Sequence, residues 1–294
     1  MILKVNNLKK RYKKDWVLKG VNMTVKNPKI IALVGPNGSG KTTLFNCMTN
    51  LVSINEGEIE LLGKKHTDSS LFKEVSYLQD NRILYSHLTA HDHLKFVCDV
   101  QNIPRSKIKN VVERVGMASY LNKRVHRFSL GMKQHLLLAL VIINDPKLLL
   151  MDEPLNGLDP TSAINMRNIL LELAEEGTTI IISSHNLDEI DRLTNTIYFM
   201  KDGEILEESL ENFVAKEYYI RVSHLARAEQ ILNEQEIIFS IVNQEQIKIV
   251  DADTELQTVI DHLNRNEIKI TDIEHERIGA ERRYKELFEG ANIS

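Results

Sequence analysis

Nine residues near the N-terminus carry the densest chemistry in the chain: Gly35-Pro36-Asn37-Gly38-Ser39-Gly40-Lys41-Thr42-Thr43. They fit G-x-x-x-x-G-K-[ST] at every fixed position. Glycines at 35, 38 and 40 reach backbone conformations closed to residues with a Cβ, which lets successive amide N–H groups converge on an anion. An apolar run, Ile30 to Val34, precedes the loop and a helix-like segment, Thr42 to Met48, follows it. The positive end of that helix points at the same anion. Lys41 supplies a mobile charge for β- and γ-phosphates, and the Thr42 hydroxyl can ligate Mg²⁺.

Three further segments narrow the chemistry. In Leu148-Leu149-Leu150-Met151-Asp152-Glu153-Pro154, two acids follow directly on a hydrophobic strand. Asp152 is placed to hold Mg²⁺ from its second shell, and Glu153 to polarise a water. In Phe128-Ser129-Leu130-Gly131-Met132-Lys133-Gln134, a serine and a glycine open a helix. That is a second anion-binding helix terminus, or simply a serine cap. His185, just past the strand-like run Thr178 to Ile182, can reach a γ-phosphate or can cap the helix Leu187 to Leu193. Gln79, after the strand ending at Leu78, can ligate Mg²⁺ or merely start a loop.

The elements that position these groups read as an α/β domain. Leu3 to Val5 and Val17 to Val25 read as short alternating strands, and Gly57 to Gly63 and Val75 to Leu78 as two more. Ile30 to Val34 is a continuous apolar run, as in a strand buried on both faces, and Lys147 to Met151 reads as another buried strand. From Thr89 the period turns helical: Thr89 to Asp92 resembles a capping box, and Ile108, Val111, Val112 and Val115 share one face. Asp159-Pro160 caps and starts a helix striped by Ala163, Met166, Leu170 and Leu173, and Gly177 ends it. Ile197 to Leu206 reads as a hairpin about Asp202-Gly203. Beyond it, residues 217–273 read β-α-β-β-α-β, the order of a small ferredoxin-like domain, followed by a helix over Glu281 to Phe288. The charge runs Glu274 to Arg277 and Glu281 to Arg283 read as solvated helix faces, and His262 and His275 lack ligand spacing.

The chain has 294 residues, 43% hydrophobic and 27% charged, with a net charge of −4. That suits a large globular domain plus a smaller one and gives no bulk basic footprint for nucleic acid. Two widely separated cysteines, Cys47 and Cys98, read as reduced core residues of a cytosolic protein. There is no signal-peptide layout, and the longest apolar runs fall far short of the roughly 20 residues a bilayer demands.

Taken in order, these motifs resemble the ATP-binding cassette (ABC) ATPases over nearly all of residues 1 to about 210. Gly35 to Thr43 is similar to the Walker A loop, Gln79 to the Q-loop glutamine, and Ser129 to Gln134 to the signature segment. Leu148 to Glu153 matches Walker B with its catalytic glutamate, Leu155 to Asp159 the D-loop, and His185 the switch histidine, while Tyr12 stands where an aromatic stacks on adenine. The resemblance implies a P-loop NTPase core with an antiparallel β subdomain and an α-helical subdomain over about 82–144; the α+β pattern beyond it makes 217–294 a separate accessory domain. Its ATP-binding set is Tyr12, Gly35, Pro36, Asn37, Gly38, Ser39, Gly40, Lys41, Thr42, Thr43, Gln79, Ser129, Gly131 and Asp159. Thr42, Gln79 and Asp152 would hold Mg²⁺, and Glu153 and His185 would be catalytic.

It also implies that two cassettes close head to tail around two ATP molecules, Ser129 and Gly131 of one facing the phosphates bound by Lys41 of the other. The usual Leu-Ser-Gly-Gly-Gln appears here as Phe128-Ser129-Leu130-Gly131-Met132, and His135 stands where a similar branch often has Arg. That branch comprises bacterial bacitracin-resistance, lantibiotic-immunity and multidrug exporters. The expectation is therefore the cytoplasmic, membrane-peripheral ATPase subunit of an exporter, paired with a second ABC subunit and a separate membrane-spanning permease. Importer ATPases, soluble ABC proteins acting on ribosomes or DNA, and phosphate-loop kinases or GTP switches are the rivals.

Overall fold

The computed structural model describes residues 1–79, 81–209, 216–243, 245–251, 256–277 and 279–288. The chain divides into two compact units, Met1–Glu208 and Ser209–Ser294. The boundary read from the sequence, between 210 and 217, falls almost wholly on residues outside that description, as do 289–294 at the C-terminus.

The first unit runs β1 (Leu3–Tyr12), β2 (Asp15–Val25), β3 (Ile30–Val34), α1 (Lys41–Met48), β4 (Glu56–Leu61), β5 (Lys64–Lys65) and β6 (Val75–Leu78). Three helices follow, α2 (Ala90–Gln101), α3 (Lys107–Val115) and α4 (Leu130–Ile142). Then come β7 (Leu148–Asp152), α5 (Pro160–Glu175), β8 (Thr179–Ser184), α6 (Leu187–Asp191), β9 (Thr196–Lys201) and β10 (Glu204–Ser209). They form an antiparallel sheet in the order β2-β1-β4-β5 and a six-stranded sheet in the order β10-β9-β3-β8-β7-β6.

β1 is longer than its alternation predicts. The apolar pattern breaks at Asn6-Asn7, where Asn7 takes φ 45° and the pairing with β2 shifts register. Beyond that irregularity the strand resumes with Leu8 and Lys10 inward. Lys10 is 8% exposed, and its ammonium is satisfied by the Ser53 carbonyl at 2.5 Å.

The centre of the second sheet is parallel: β3 pairs with β8 and β9, and β7 with β6 and β8. Every residue of β3 and β8 is buried, as strands covered on both faces require. β9 and β10 are joined by Asp202-Gly203 with φ of 52° and 83°, the conformation of a two-residue hairpin turn. α1 lies in a core shared by both sheets, where Leu44, Phe45, Cys47 and Met48 pack with Leu3, Leu18, Leu148, Ile181 and Tyr198. Both cysteines are free and buried. Burial pushes the Cys47 thiol up to about 11, against the pull of the Lys10 charge.

The helical segment starts at a full capping box: Thr89 Oγ1 accepts from the Asp92 N–H, and Asp92 accepts from the Thr89 N–H. Ile108, Val111, Val112 and Val115 are buried as their spacing requires. Among the described residues, no helix is long and apolar enough to cross a membrane.

The second unit follows β11 (Lys216–Val222), α7 (Leu225–Glu234), β12 (Phe239–Ile241), β13 (Gln246–Asp251), α8 (Leu256–Arg265), β14 (Ile270–Arg277) and α9 (Ala280–Phe288). Its antiparallel sheet has the order β12-β13-β11-β14. Ile220, Ile247, Ile249, Leu232 and Leu263 form its core. One expectation is corrected here: residues 274–277 are not a helix face but the end of β14, in register with 216–219 of β11. Alternating charges carry no helical period, and the pairing with β11 decides the conformation.

Phe45 ties α1 to the sheet, its ring edge-on to Tyr77 of β6 with centroids 5.8 Å apart. Phe45→Ala should cost about 3–5 kcal/mol in the unfolding transition of the first unit, measured by urea denaturation.

Candidate nucleotide site

The carboxyl ends of parallel strands are where open α/β sheets bind ligands, and the phosphate loop, Gln79, Asp152, Glu153 and His185 lie at or just past such strand ends. β3 delivers the loop 35–40, which turns through a Pro36 O to Ser39 N hydrogen bond of 3.1 Å and passes into α1 at Gly40, φ 110°. Gly35 is packed against β9: a Cβ there would lie 2.5 Å from the Met200 carbonyl oxygen.

Lys41 is 7% exposed and folds its ammonium onto the Gly35 carbonyl at 2.7 Å and the Pro36 carbonyl at 3.3 Å. Burial lowers its pKa, opposed by the charges of Glu153 and Asp152. Ser39 Oγ is buried with no hydrogen-bond partner among the described residues, a donor suited to an anion held by the loop.

Next to the loop, β7 ends in Asp152. Thr42 Oγ1 donates to Asp152 Oδ2 at 2.6 Å, and Ser183 Oγ of β8 donates to Asp152 Oδ1 at 2.6 Å. Glu153 follows with a left-handed backbone, φ 51°, uncommon for a non-glycine residue. Its N–H donates to Ser183 Oγ at 3.0 Å, and its Oε2 lies 2.8 Å from His185 Nδ1. The helix-capping reading of His185 is corrected: the cap of α6 is Asn186, which accepts from the Glu189 N–H, and His185 faces Glu153 instead.

A cleft of about 850 Å³ unites these groups, lined by Tyr12, Asn37, Gly38, Gly40, Lys41, Thr42, Thr43, Gln79, Asp152 and Glu153. Gly35, Pro36 and Ser39 form the base of the loop outside that lining. Tyr12 is 45% exposed, with the Lys10 ammonium 5.2 Å from its ring centre. Thr42 and Asp152 present a hydroxyl and a carboxylate side by side, hard oxygen donors that suit Mg²⁺, and Gln79 also lines the cleft.

Ser129, Gly131 and Asp159 are not brought to this cleft. They form a second cluster. Ser129 Oγ accepts from the Met132 N–H at 3.3 Å and caps α4. Asp159 caps α5, accepting from the Ser162 N–H and hydroxyl at 3.1 and 2.7 Å, and the Ser162 hydroxyl and amide hold its carboxyl below the usual range. A Cβ on Gly131 would stand 3.1 Å from Ser162 Oγ and 3.7 Å from Asp159 Oδ2. His135, one turn further along α4, has its Nδ1 2.9 Å from the Tyr120 hydroxyl.

Sequence reasoning missed Ser183, whose signal was a serine ending an isoleucine run, and the lining residues Val17, Asn46, Tyr77, Arg82 and Ile83.

A model of the ABC transporter family matches residues 18–156. The ABC transporter ATP-binding protein YcbN of Bacillus subtilis is 34% identical over 303 residues, covering 100% of this chain and 99% of that one. The chain belongs to the ABC transporter ATP-binding family. It is thus an ATPase of the ABC class, the ATP-binding subunit of a transporter. The lantibiotic transport ATP-binding protein SrtF of Streptococcus pyogenes is 41% identical over 207 residues, 70% of this chain and 90% of that one. Among solved structures, a dimeric post-hydrolysis cassette bound to ADP and Pi has a TM-score of 0.65 at 24% identity, over 71% of this chain and 98% of that one. That likeness is one of fold.

Gly35→Ala must push the loop off the β9 backbone. It should lower stability by about 1–3 kcal/mol and weaken nucleotide binding, read by thermal denaturation and calorimetry.

Proposed function

We propose that this chain is the ATP-hydrolysing subunit of a bacterial exporter, working with a membrane-spanning permease as a peripheral protein on the cytoplasmic face. The Glu153–His185 contact of 2.8 Å beside Lys41 and Asp152 carries the hydrolytic part of this reading. The name of SrtF, a lantibiotic transport protein, supports the exporter part.

ATP enters the cleft with its adenine on the Tyr12 ring and its β- and γ-phosphates on the loop amides and Lys41. Lys41 then exchanges the Gly35 and Pro36 carbonyls for phosphate oxygens. Thr42, Asp152 and Gln79 would hold Mg²⁺, which when bound neutralises charge on the β- and γ-phosphates. Glu153 takes a proton from the water as the water oxygen bonds to the γ-phosphorus. The bond from that phosphorus to the β–γ bridging oxygen breaks, and ADP leaves with the electron pair. His185 holds the Glu153 carboxylate and the water in line.

The separate placement of Ser129, Gly131 and Asp159 supports pairing with a second cassette. Each copy offers that cluster to the nucleotide on the other, so ATP holds the pair together and hydrolysis releases it.

Glu153→Gln should lower steady-state turnover about 10²–10⁴-fold while leaving ATP binding intact; turnover at the parental rate would refute the role of Glu153. Lys41→Ala should abolish ATP binding in calorimetry, and unchanged affinity would refute the loop reading.

A further inference from the structure

Ser183 is a hydroxyl in a place built for hydrocarbon. It ends the isoleucine run of β8, is 0% exposed, and lies in register between Leu33 of β3 and Asp152 of β7. A buried hydroxyl is retained without loss only where its proton and lone pairs are matched. Here both are. The Oγ donates to Asp152 Oδ1 at 2.6 Å and accepts from the Glu153 N–H at 3.0 Å. The directions are fixed, because an ionised carboxylate only accepts and an amide N–H only donates.

One oxygen atom therefore joins two neighbouring residues with different tasks. On its donor side it fixes one carboxylate oxygen of Asp152 while Thr42 Oγ1 fixes the other. On its acceptor side it secures the backbone of Glu153 in the left-handed conformation from which that side chain reaches His185.

We propose that Ser183 is a positioning residue for ATP hydrolysis, its hydroxyl setting the orientation of the Asp152 carboxylate and the backbone of Glu153 together. This rests on the roles proposed above for Asp152 and Glu153. Alanine at 183 leaves Asp152 with Thr42 alone and Glu153 N–H with only the Ser183 main-chain oxygen, 3.2 Å away. Metal binding and turnover then weaken together, whereas nucleotide binding without metal, which depends on the loop and Lys41, does not change. A serine that merely packs the strand would lower stability and leave the metal dependence alone.

The test uses the full-length chain with Ser183→Ala, Ser183→Thr and Asp152→Asn. Mn²⁺ is titrated onto the ADP-loaded protein by electron paramagnetic resonance, ADP affinity in EDTA is measured by calorimetry, and turnover is followed against Mg²⁺. Ser183→Ala should need about 10-fold or more Mn²⁺ for half-saturation, the usual cost of removing a hydrogen-bond partner from a metal-binding carboxylate. Its turnover should fall at saturating Mg²⁺, its ADP affinity in EDTA should match the parent, and Ser183→Thr should restore both lost properties. If Ser183→Ala binds Mn²⁺ like the parent while Asp152→Asn does not, Ser183 has no positioning role and the reading of Asp152 survives. If Asp152→Asn also binds like the parent, Asp152 does not hold the metal and both ideas fall. Should the alanine variant fail to fold, Ser183→Cys, similar in size and a weak donor, is judged by the same outcomes.

Discussion

The site depends on one carboxylate held from two sides. Asp152 receives Thr42 from the first turn of α1 and Ser183 from the end of β8. Thr42 and Asp152 are 110 residues apart, and only the packing of α1 over β7 brings them together. Charge-assisted hydrogen bonds of this kind are among the stronger ones in proteins. They lock the phosphate loop, the acidic strand end and the histidine-bearing turn into one frame. The apolar strands around it set that frame, since β3, β7 and β8 are buried along almost their whole length.

A second constraint is separation. The loop and acids meet at one cleft, with His185 joined to them through Glu153, while the serine–glycine helix start and Asp159 meet elsewhere, each busy capping a helix. Caps are ordinary structural devices, and here they aim two helix starts outward with their geometry already set. Such preorganisation lowers the ordering cost of a contact made later.

Much of the first unit was legible in the sequence because its signals are local. The glycine spacing of 35–40, the capping box at Thr89 and the stripe on α3 each depend on residues close along the chain. The β1 extension was not legible, since Asn6-Asn7 interrupts the alternation and only pairing with β2 carries the strand across it. Residues 274–277 misled for the same reason: their strand is imposed by β11. In the site, the residue types were readable but not their partners. The capping reading of His185 failed because Asn186 takes the cap, and Ser183 gained its meaning only from Asp152 opposite it in register. The β-α-β-β-α-β order of the second unit could be read from short apolar runs, but its task has no comparable local signature.

Cys47 sits on α1, six residues beyond Lys41, inside the core shared by the two sheets. Its raised pKa leaves almost no thiolate at neutral pH, and thiolate is the form that oxidants and electrophiles attack. Cys98 is equally shut away. The helix that begins at the phosphate cradle thus carries its one thiol in a protonated, closed-off form in the folded protein.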